Sequence, residues 1–251
     1  MQRLKVLTDA RGCRTVLLDR PDKRNALDET FLTELLDVAN EAAGDKAVRV
    51  VVLRSTSSIF CAGADLNEWA NLDPRTAQRL SALGGRAFQA LADLPTPVVA
   101  ALEGAALGGG LELALACDLR IASEHCRVGY PEPRLGNSPA SGGMTRLVAA
   151  AGPAFARDML LTGDTISAAH AHRIGVVQRL CSVTDFPAQL EALIESIVAC
   201  DGDTLTYIKM LLGAPSQMIA AQEAAIAGFV ATRAESRERK EKFLASRRPN
   251  R

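Results

Sequence analysis

The sequence predicts an α/β fold built on a largely parallel sheet, and three observations carry that prediction. Strand-like and helix-like segments alternate up to about residue 130, the pattern of an α/β layer. Two segments, Val48 to Leu53 and Val98 to Leu102, are near-continuous apolar runs, as strands covered on both faces must be. Between Pro97 and Arg120 an apolar strand leads through Gly108, Gly109 and Gly110 into the helix-forming run Leu111-Glu112-Leu113-Ala114-Leu115-Ala116-Cys117, so the chain turns sharply from strand to helix there.

In chain order, Leu4 to Thr8 and Thr15 to Leu18 read as strands joined by a turn at Asp9 to Gly12. Asp28 is an N-cap for a helix that carries Phe31, Leu32, Leu35, Leu36 and Val38 on one side and ends near Gly44. After the Val48 to Leu53 strand, Ser55 to Ala64 is a loop. A helix covers Thr76 to Leu94 and stops before Pro95-Thr96-Pro97. Leu119 to Ala122 reads as a short strand, and the Pro- and Gly-rich stretch from Arg127 to Gly143 as irregular chain. Beyond Ser141 the character becomes helical: Met144 to Leu161, Ala168 to Ile174, Pro187 to Cys200, Leu205 to Leu212 and Pro215 to Ala231, with one short strand at Val176 to Leu180. No long linker and no tandem repeat interrupts the chain.

Composition narrows the function classes. Lys+Arg and Asp+Glu are both 29, a balance that favours neither nucleic acid nor an anionic membrane surface as partner. The tail from Ser236 to Arg248 is rich in Arg and Lys, but Glu238 and Glu241 interleave with them, as on a solvated helix face. No run reaches the roughly 18 apolar residues of a membrane helix, and the first residues carry no apolar signal core. The six cysteines show no C-x-x-C spacing and several lie in apolar runs. They are therefore expected as reduced thiols in a cytoplasmic protein. His125, His170 and His172 form no metal set with cysteines or acids, and no metal is expected.

Three segments carry candidate chemistry. At the glycine helix, N–H groups without intrahelical partners face whatever approaches, and Glu112 stands in the first turn. A resident phosphate is disfavoured, because G-x-G-x-x-G is absent, no Lys-Ser or Lys-Thr follows, and a carboxylate would repel it. A transient oxyanion beside an acid–base group suits the pattern. So does a turn whose glycines merely allow close packing beside a solvated Glu112. The second segment, Phe60-Cys61-Ala62-Gly63-Ala64-Asp65-Leu66, follows a parallel strand and so lies at the carboxyl end of the sheet, where open α/β folds bind ligands. The third, Gly129-Tyr130-Pro131-Glu132-Pro133-Arg134-Leu135-Gly136, holds Glu132 between two prolines. Glu132 alone reads equally as a fixed functional acid or an exposed turn acid.

Together these segments resemble the crotonase family, the enoyl-CoA hydratase/isomerase superfamily. The shared features are Asn25-Ala26-Leu27, the Phe60 to Leu66 segment, Ala106-Leu107-Gly108-Gly109-Gly110-Leu111-Glu112-Leu113, Cys117-Asp118, Pro131-Glu132 with Leu135-Gly136, Gly142-Gly143 with Arg146-Leu147, Leu161-Thr162-Gly163, and Gly175-Val176-Val177. They follow in family order over nearly the whole chain. The resemblance implies a spiral of ββα turns, an α/β core over residues 1–195, and a helical C-terminal region over 196–251 that builds a homotrimer or a dimer of trimers. It implies an acyl-CoA thioester substrate and no cofactor beyond the coenzyme A that the substrate carries.

Carried over residue by residue, the resemblance makes the backbone N–H groups of Ala64 and Gly109 an oxyanion hole. Glu112 and Glu132 become the two acids that act on one water in a hydratase. The backbone of Ala62 to Leu66, including Asp65, is implied to hold the adenine, and Ala26 belongs to the matching Asn-Ala-Leu segment. Arg24 is a candidate partner for the coenzyme A phosphates, and Ala140 keeps an N–H that could reach the water. Family hydratases usually read Pro-Gly-Ala-Gly-Gly where this chain has Pro139-Ala140-Ser141-Gly142-Gly143. Family members that lack one glutamate run isomerisation, decarboxylation or dehalogenation, so retention of both favours hydration. A rival from another class is a serine hydrolase using Ser138 in Gly136-Asn137-Ser138-Pro139-Ala140, which matches G-x-S-x-G only loosely and has no strand feeding it.

Overall fold

A computed structural model describes residues 2–69 and 72–213 and, beyond them, 233, 234 and 238. The elements run β1 (Leu4–Thr8), β2 (Cys13–Leu18), α1 (Glu29–Gly44), β3 (Val50–Ser55), α2 (Leu66–Trp69), α3 (Pro74–Ala92), β4 (Val98–Leu102), β5 (Ala106–Leu107), α4 (Gly109–Leu115), β6 (Leu119–Ser123), β7 (Arg127–Gly129), α5 (Gly143–Thr162), β8 (Thr165–Ser167), α6 (Ala168–Arg173), β9 (Arg179–Cys181), α7 (Phe186–Val198) and α8 (Gly202–Leu212). The expected helix over Pro215 to Ala231 lies outside the described residues, as does the charged tail apart from Glu238.

Two sheets result. The larger has the order β1-β2-β3-β4-β6-β9, with β1 antiparallel to β2 and every other neighbour parallel. The smaller, β5-β7-β8, is mixed. Two isolated parallel bridges, Leu27 to Ala64 and Cys61 to Ala106, tie the loops that follow β2, β3 and β4 to one another.

The apolar runs are continuous because β3 and β4 are covered on both faces. Val51, Leu53, Val98, Ala100 and Leu102 join Phe31 and Leu35 of α1 and Phe88 and Leu91 of α3 in one core. Alternate residues Val50, Val52, Val99 and Ala101 join Ile121 and α7 residues Leu190, Leu193, Ile194 and Ile197 in a second. Asp28 caps α1 by accepting from the Phe31 N–H, as its sequence position predicts.

Several expectations need correction. The stretch from Arg127 to Gly143 is more ordered than expected: it contains β7 and a 3₁₀ turn over Glu132–Leu135. The last strand is Arg179–Cys181, shifted from Val176 to Leu180, because the Val177 N–H bonds the Ala171 carbonyl and the Val176 carbonyl takes the Arg120 guanidinium. The helix after Ser141 is broken at Gly152 (φ 77°, ψ 163°), directly before Pro153. The division expected at 195/196 falls inside α7, which is continuous through it.

One polar side chain anchors the loops at the carboxyl end of the sheet. Asn25 is fully buried with φ 55°, a left-handed conformation that asparagine tolerates. Its Oδ1 accepts from the Arg20 N–H (2.8 Å), and its Nδ2 donates to Ser55 Oγ (2.7 Å) and the carbonyls of Phe60 (3.0 Å) and Ile59 (3.1 Å). Asn25→Ala strands these partners in the interior, where each unmet group costs about 1–3 kcal/mol. Urea unfolding should therefore show a loss of about 2–4 kcal/mol; a loss within experimental error would show that the loops do not depend on this clamp.

Candidate active site

The loops following β2, β3 and β4 meet at one place, and glycine makes the meeting possible. Gly108 sits at φ 52°, ψ −126°, which L side chains rarely adopt. A Cβ added there would lie 2.5 Å from Glu132 Oε1. A Cβ on Gly63 would come within 3.4 Å of the Gly109 nitrogen, and one on Gly109 within 3.8 Å of the Ala64 nitrogen. The two loops thus bring the Ala64 and Gly109 N–H groups side by side. Neither group has a hydrogen-bond acceptor among the described residues.

Two adjoining cavities open on this point. The inner one, about 230 Å³, is lined by apolar Leu27, Leu32, Leu80 and Phe88, with Trp69 and Leu66, and reaches Ala64, Gly109, Glu112, Glu132, Ser138 and Ala140. The outer one, about 460 Å³, is lined by Lys23, Arg24, Ala26, the Ala62 to Asn67 segment and Glu132. A larger cavity of about 730 Å³ lies between α5, α7 and α8. Its one carboxylate among the described residues, Asp118, is paired with Lys209 at 2.7 Å, Arg120 bonds the carbonyls of Ala114, Cys117 and Val176, and Arg146 donates to the Ser141 carbonyl and to Gln89, which leaves Arg179 as its remaining charged group. It offers no acid–base pair.

The two acids have unlike surroundings. Glu112 is buried (4% exposed), which removes the reading of a solvated first-turn acid. Its Oε1 accepts the N–H groups of Ser141 (2.8 Å) and Gly143 (2.9 Å). These two donors lie past Glu132 in the chain, at the start of α5. Oε2 accepts no hydrogen bond among the described residues, and the side chain lines the inner cavity. Glu132 Oε2 is buried with no hydrogen-bond partner among the described residues. Burial, with the Glu112 charge adding to it, pushes the Glu132 carboxyl up to about 7.

The remaining candidates divide. Ala64, Gly109, Glu112, Glu132, Leu66 and Ala140 line the inner cavity; Arg24, Ala26, Ala62, Asp65 and again Leu66 line the outer one. The Ala62 N–H already donates to the Arg24 carbonyl and the Asp65 N–H to the Leu27 carbonyl, while the Gly63 and Asp65 carbonyls accept from Leu27 and Glu68, so the segment offers a ligand the Ala62 and Ala64 carbonyls and the Ala64 N–H. The Asp65 carboxylate faces inward on Arg20 at 2.8 Å. Burial would raise its pKa, but the Asn67 N–H and the Arg20 guanidinium hold it below its ordinary value. It braces the loop. Arg24 is exposed, and its guanidinium makes no bond among the described residues. Ala140 stands outside the left-handed region, so replacing glycine there costs no backbone strain. Ser138 reaches the inner cavity, but no histidine lines either cavity, so a serine hydrolase lacks its base.

Sequence reasoning missed the Ser141 and Gly143 donors, Tyr130 behind the acids, and the apolar wall of Leu32, Leu80 and Phe88. The Gly142-Gly143 pair was the available signal for the donors, since a Cβ on Gly143 would collide with Glu112 Cγ at 2.3 Å.

Comparison with known proteins gives the family and the fold. The family model for enoyl-CoA hydratase/isomerase matches residues 9–249. A probable enoyl-CoA hydratase of Mycobacterium leprae is 40% identical over 185 residues, covering 72% of this chain and 70% of that protein. A crotonyl-CoA hydratase of Syntrophomonas wolfei is 40% identical over 164 residues, covering 65% and 63%. The crystal structure of an enoyl-CoA hydratase from Bacillus anthracis superposes with a TM-score of 0.93 at 28% identity over 99% of this chain and 98% of that one. One from Mycobacterium smegmatis gives 0.92 at 30%, again over 99% and 98%. A family match over nearly the whole chain, relatives at 40% identity and an α/β architecture shared from end to end lead to one conclusion: this chain belongs to the enoyl-CoA hydratase/isomerase family.

Proposed function

We propose that this protein is an enoyl-CoA hydratase that adds water reversibly across the 2,3 double bond of an acyl-CoA thioester. The observation that carries the reading is a pair of carboxyl groups of unlike character, Glu112 and Glu132, on one small apolar cavity beside two unpaired N–H groups. The names of the relatives support the same reaction.

In this reading the thioester oxygen lies between the Ala64 and Gly109 N–H groups, which stabilise the enolate charge as it develops. Glu112, its Oε1 fixed by two N–H donors, accepts a proton from the water as the water oxygen bonds to C3. Glu132, whose carboxyl is raised to about 7 and so still holds its proton in about half of the molecules at neutral pH, delivers that proton to C2. The water is consumed as hydroxyl and proton, and the pair ends with the proton count it began with. The acyl chain occupies the inner cavity. The coenzyme A arm runs through the outer one, past the carbonyls of the Ala62 to Leu66 segment, with Lys23 and Arg24 at the phosphates. No further cofactor enters. Six free thiols favour a reducing compartment, the cytoplasm. Among the described residues no helix is long and apolar enough to cross a membrane.

The test is loss of conjugated enoyl-thioester absorbance in Glu112→Gln and Glu132→Gln variants. Each should lose about 10²–10⁴ in hydration rate while still binding ligand. An isomerase needs one acid to move a proton between carbons. A Glu112→Gln variant that still converts a 3-enoyl to a 2-enoyl thioester at wild-type rate would replace hydration with isomerisation.

We also propose a homotrimer or a dimer of trimers. Large apolar side chains stand exposed on α5 (Met144, Val148, Phe155, Leu161) and on α8 (Ile208, Met210, Leu212), more than a monomer's surface favours in two neighbouring helices. Sedimentation at micromolar concentration should give the mass of three or six chains; a monomer alone would overturn the assembly.

A further inference from the structure

The inner cavity has a mouth and a closed end. Ala64, Leu66, Glu132 and Asn137 line both cavities, so the two join there. Leu32, Leu80 and Phe88 line the inner one alone, and all three are buried.

One face of α3 builds the closed end. Leu80, Gly84 and Phe88 are spaced four residues apart and so stand in a row along that helix. Gly84, in the middle of the row, lets α3 rest directly on its neighbours. A Cβ added there would lie 2.7 Å from Ser141 Oγ and 3.7 Å from Leu32 Cδ1. The row is thus sealed between Leu80 and Phe88 by α1 on one side and the loop before α5 on the other. Behind this wall lies core rather than space: Leu32 and Phe88 pack with Phe31, Leu35, Leu83 and Leu91 in the main hydrophobic cluster. A core packed to that density does not admit extra methylenes without strain.

The size of the space then limits what fits. A cavity of about 150 Å³ takes a benzene ring, so each heavy atom needs about 25 Å³. At about 230 Å³ the inner cavity holds about nine such atoms. The thioester carbon and oxygen, C2, C3 and the reacting water use about five of them, which leaves about four carbons beyond C3 at most.

We propose that the protein selects short-chain acyl thioesters, of about four to six carbons, and that Leu80 and Phe88 on α3 set the limit. The proposal takes the placement of the acyl group in the inner cavity from the hydratase reading above. It adds the substrate class and the residues that determine it. The apolar lining of the closed end suits a hydrocarbon tail, whereas Asn137, Ser138 and Ser141 belong to the loop whose Ser141 N–H holds Glu112.

The test is calorimetric binding of saturated acyl-CoA thioesters, which cannot be hydrated, with chains of four, six and ten carbons. Where room exists, each further buried methylene tightens binding about fourfold. Affinity should therefore rise from four to six carbons and rise no further at ten. A ten-carbon thioester that binds more tightly than the six-carbon one overturns the proposal. Leu80→Ala should lengthen the closed end, since Leu80 stands outside the main cluster and its loss leaves that core in place. In this variant the ten-carbon thioester should gain about tenfold in affinity relative to the four-carbon one. A folded variant with the wild-type profile overturns the assignment of the wall. Should Leu80→Ala not fold, Phe88→Leu decides by the same shift, and the same unchanged profile overturns it. With 2-enoyl thioesters, kcat/KM should fall at least tenfold between six and ten carbons; a level or rising profile overturns the proposal. Wild-type protein that shows the binding profile but hydrates none of these thioesters would sink the hydratase reading alone, because binding does not depend on turnover.

Discussion

The structure of the site depends on how closely two backbones approach, one from the loop after β3 and one from the loop after β4. The parallel sheet carries both loops to the same edge, but side chains of ordinary size would hold them apart. A Cβ on Gly110 would sit 2.3 Å from the Cys61 carbonyl, and one on Gly108 would strike the Glu132 carboxyl. With glycine at these positions the Cys61 to Ala106 bridge forms, and the unpaired Ala64 and Gly109 N–H groups come to stand together. Because α4 begins at that point, its first turn also delivers Glu112 to the cavity. One packing constraint thereby governs donors and acid at once.

The second acid arrives by a different route, and the contrast in environment matters more than the shared residue type. Glu112 meets backbone donors; Glu132 meets burial and the field of Glu112. Two identical carboxyl groups in one environment would compete for one proton with no preferred order. Unlike surroundings separate them into an acceptor and a donor, which is what addition of water across a polarised double bond requires.

Much of this was legible in the sequence, for identifiable reasons. β3 and β4 were visible because burial on both faces leaves continuous apolar runs, and α1 because Asp28 stands before a periodic apolar face. The two- and three-residue strands β5, β7 and β8 were not, since such short segments show no alternation, and their pairing depends on partners far away in the chain. At the site, the glycine run and the two glutamates were legible as residue types in unusual settings. The bonds from Ser141 and Gly143 to Glu112, the inward turn of Asp65 onto Arg20 and the burial of Tyr130 were not, because each is a tertiary contact that no local spacing encodes.

The central claim is that one proton shared unequally between Glu112 and Glu132 drives the reaction. The pH dependence of kcat/KM, measured for hydration and for dehydration, tests it most directly, because both directions start from the same singly protonated pair of the free enzyme. With the Glu132 carboxyl raised to about 7, its proton is lost as pH climbs through that value. The account therefore predicts an alkaline fall in both directions with a common midpoint near 7. A rate that stays level or rises through that region, in either direction, would contradict it.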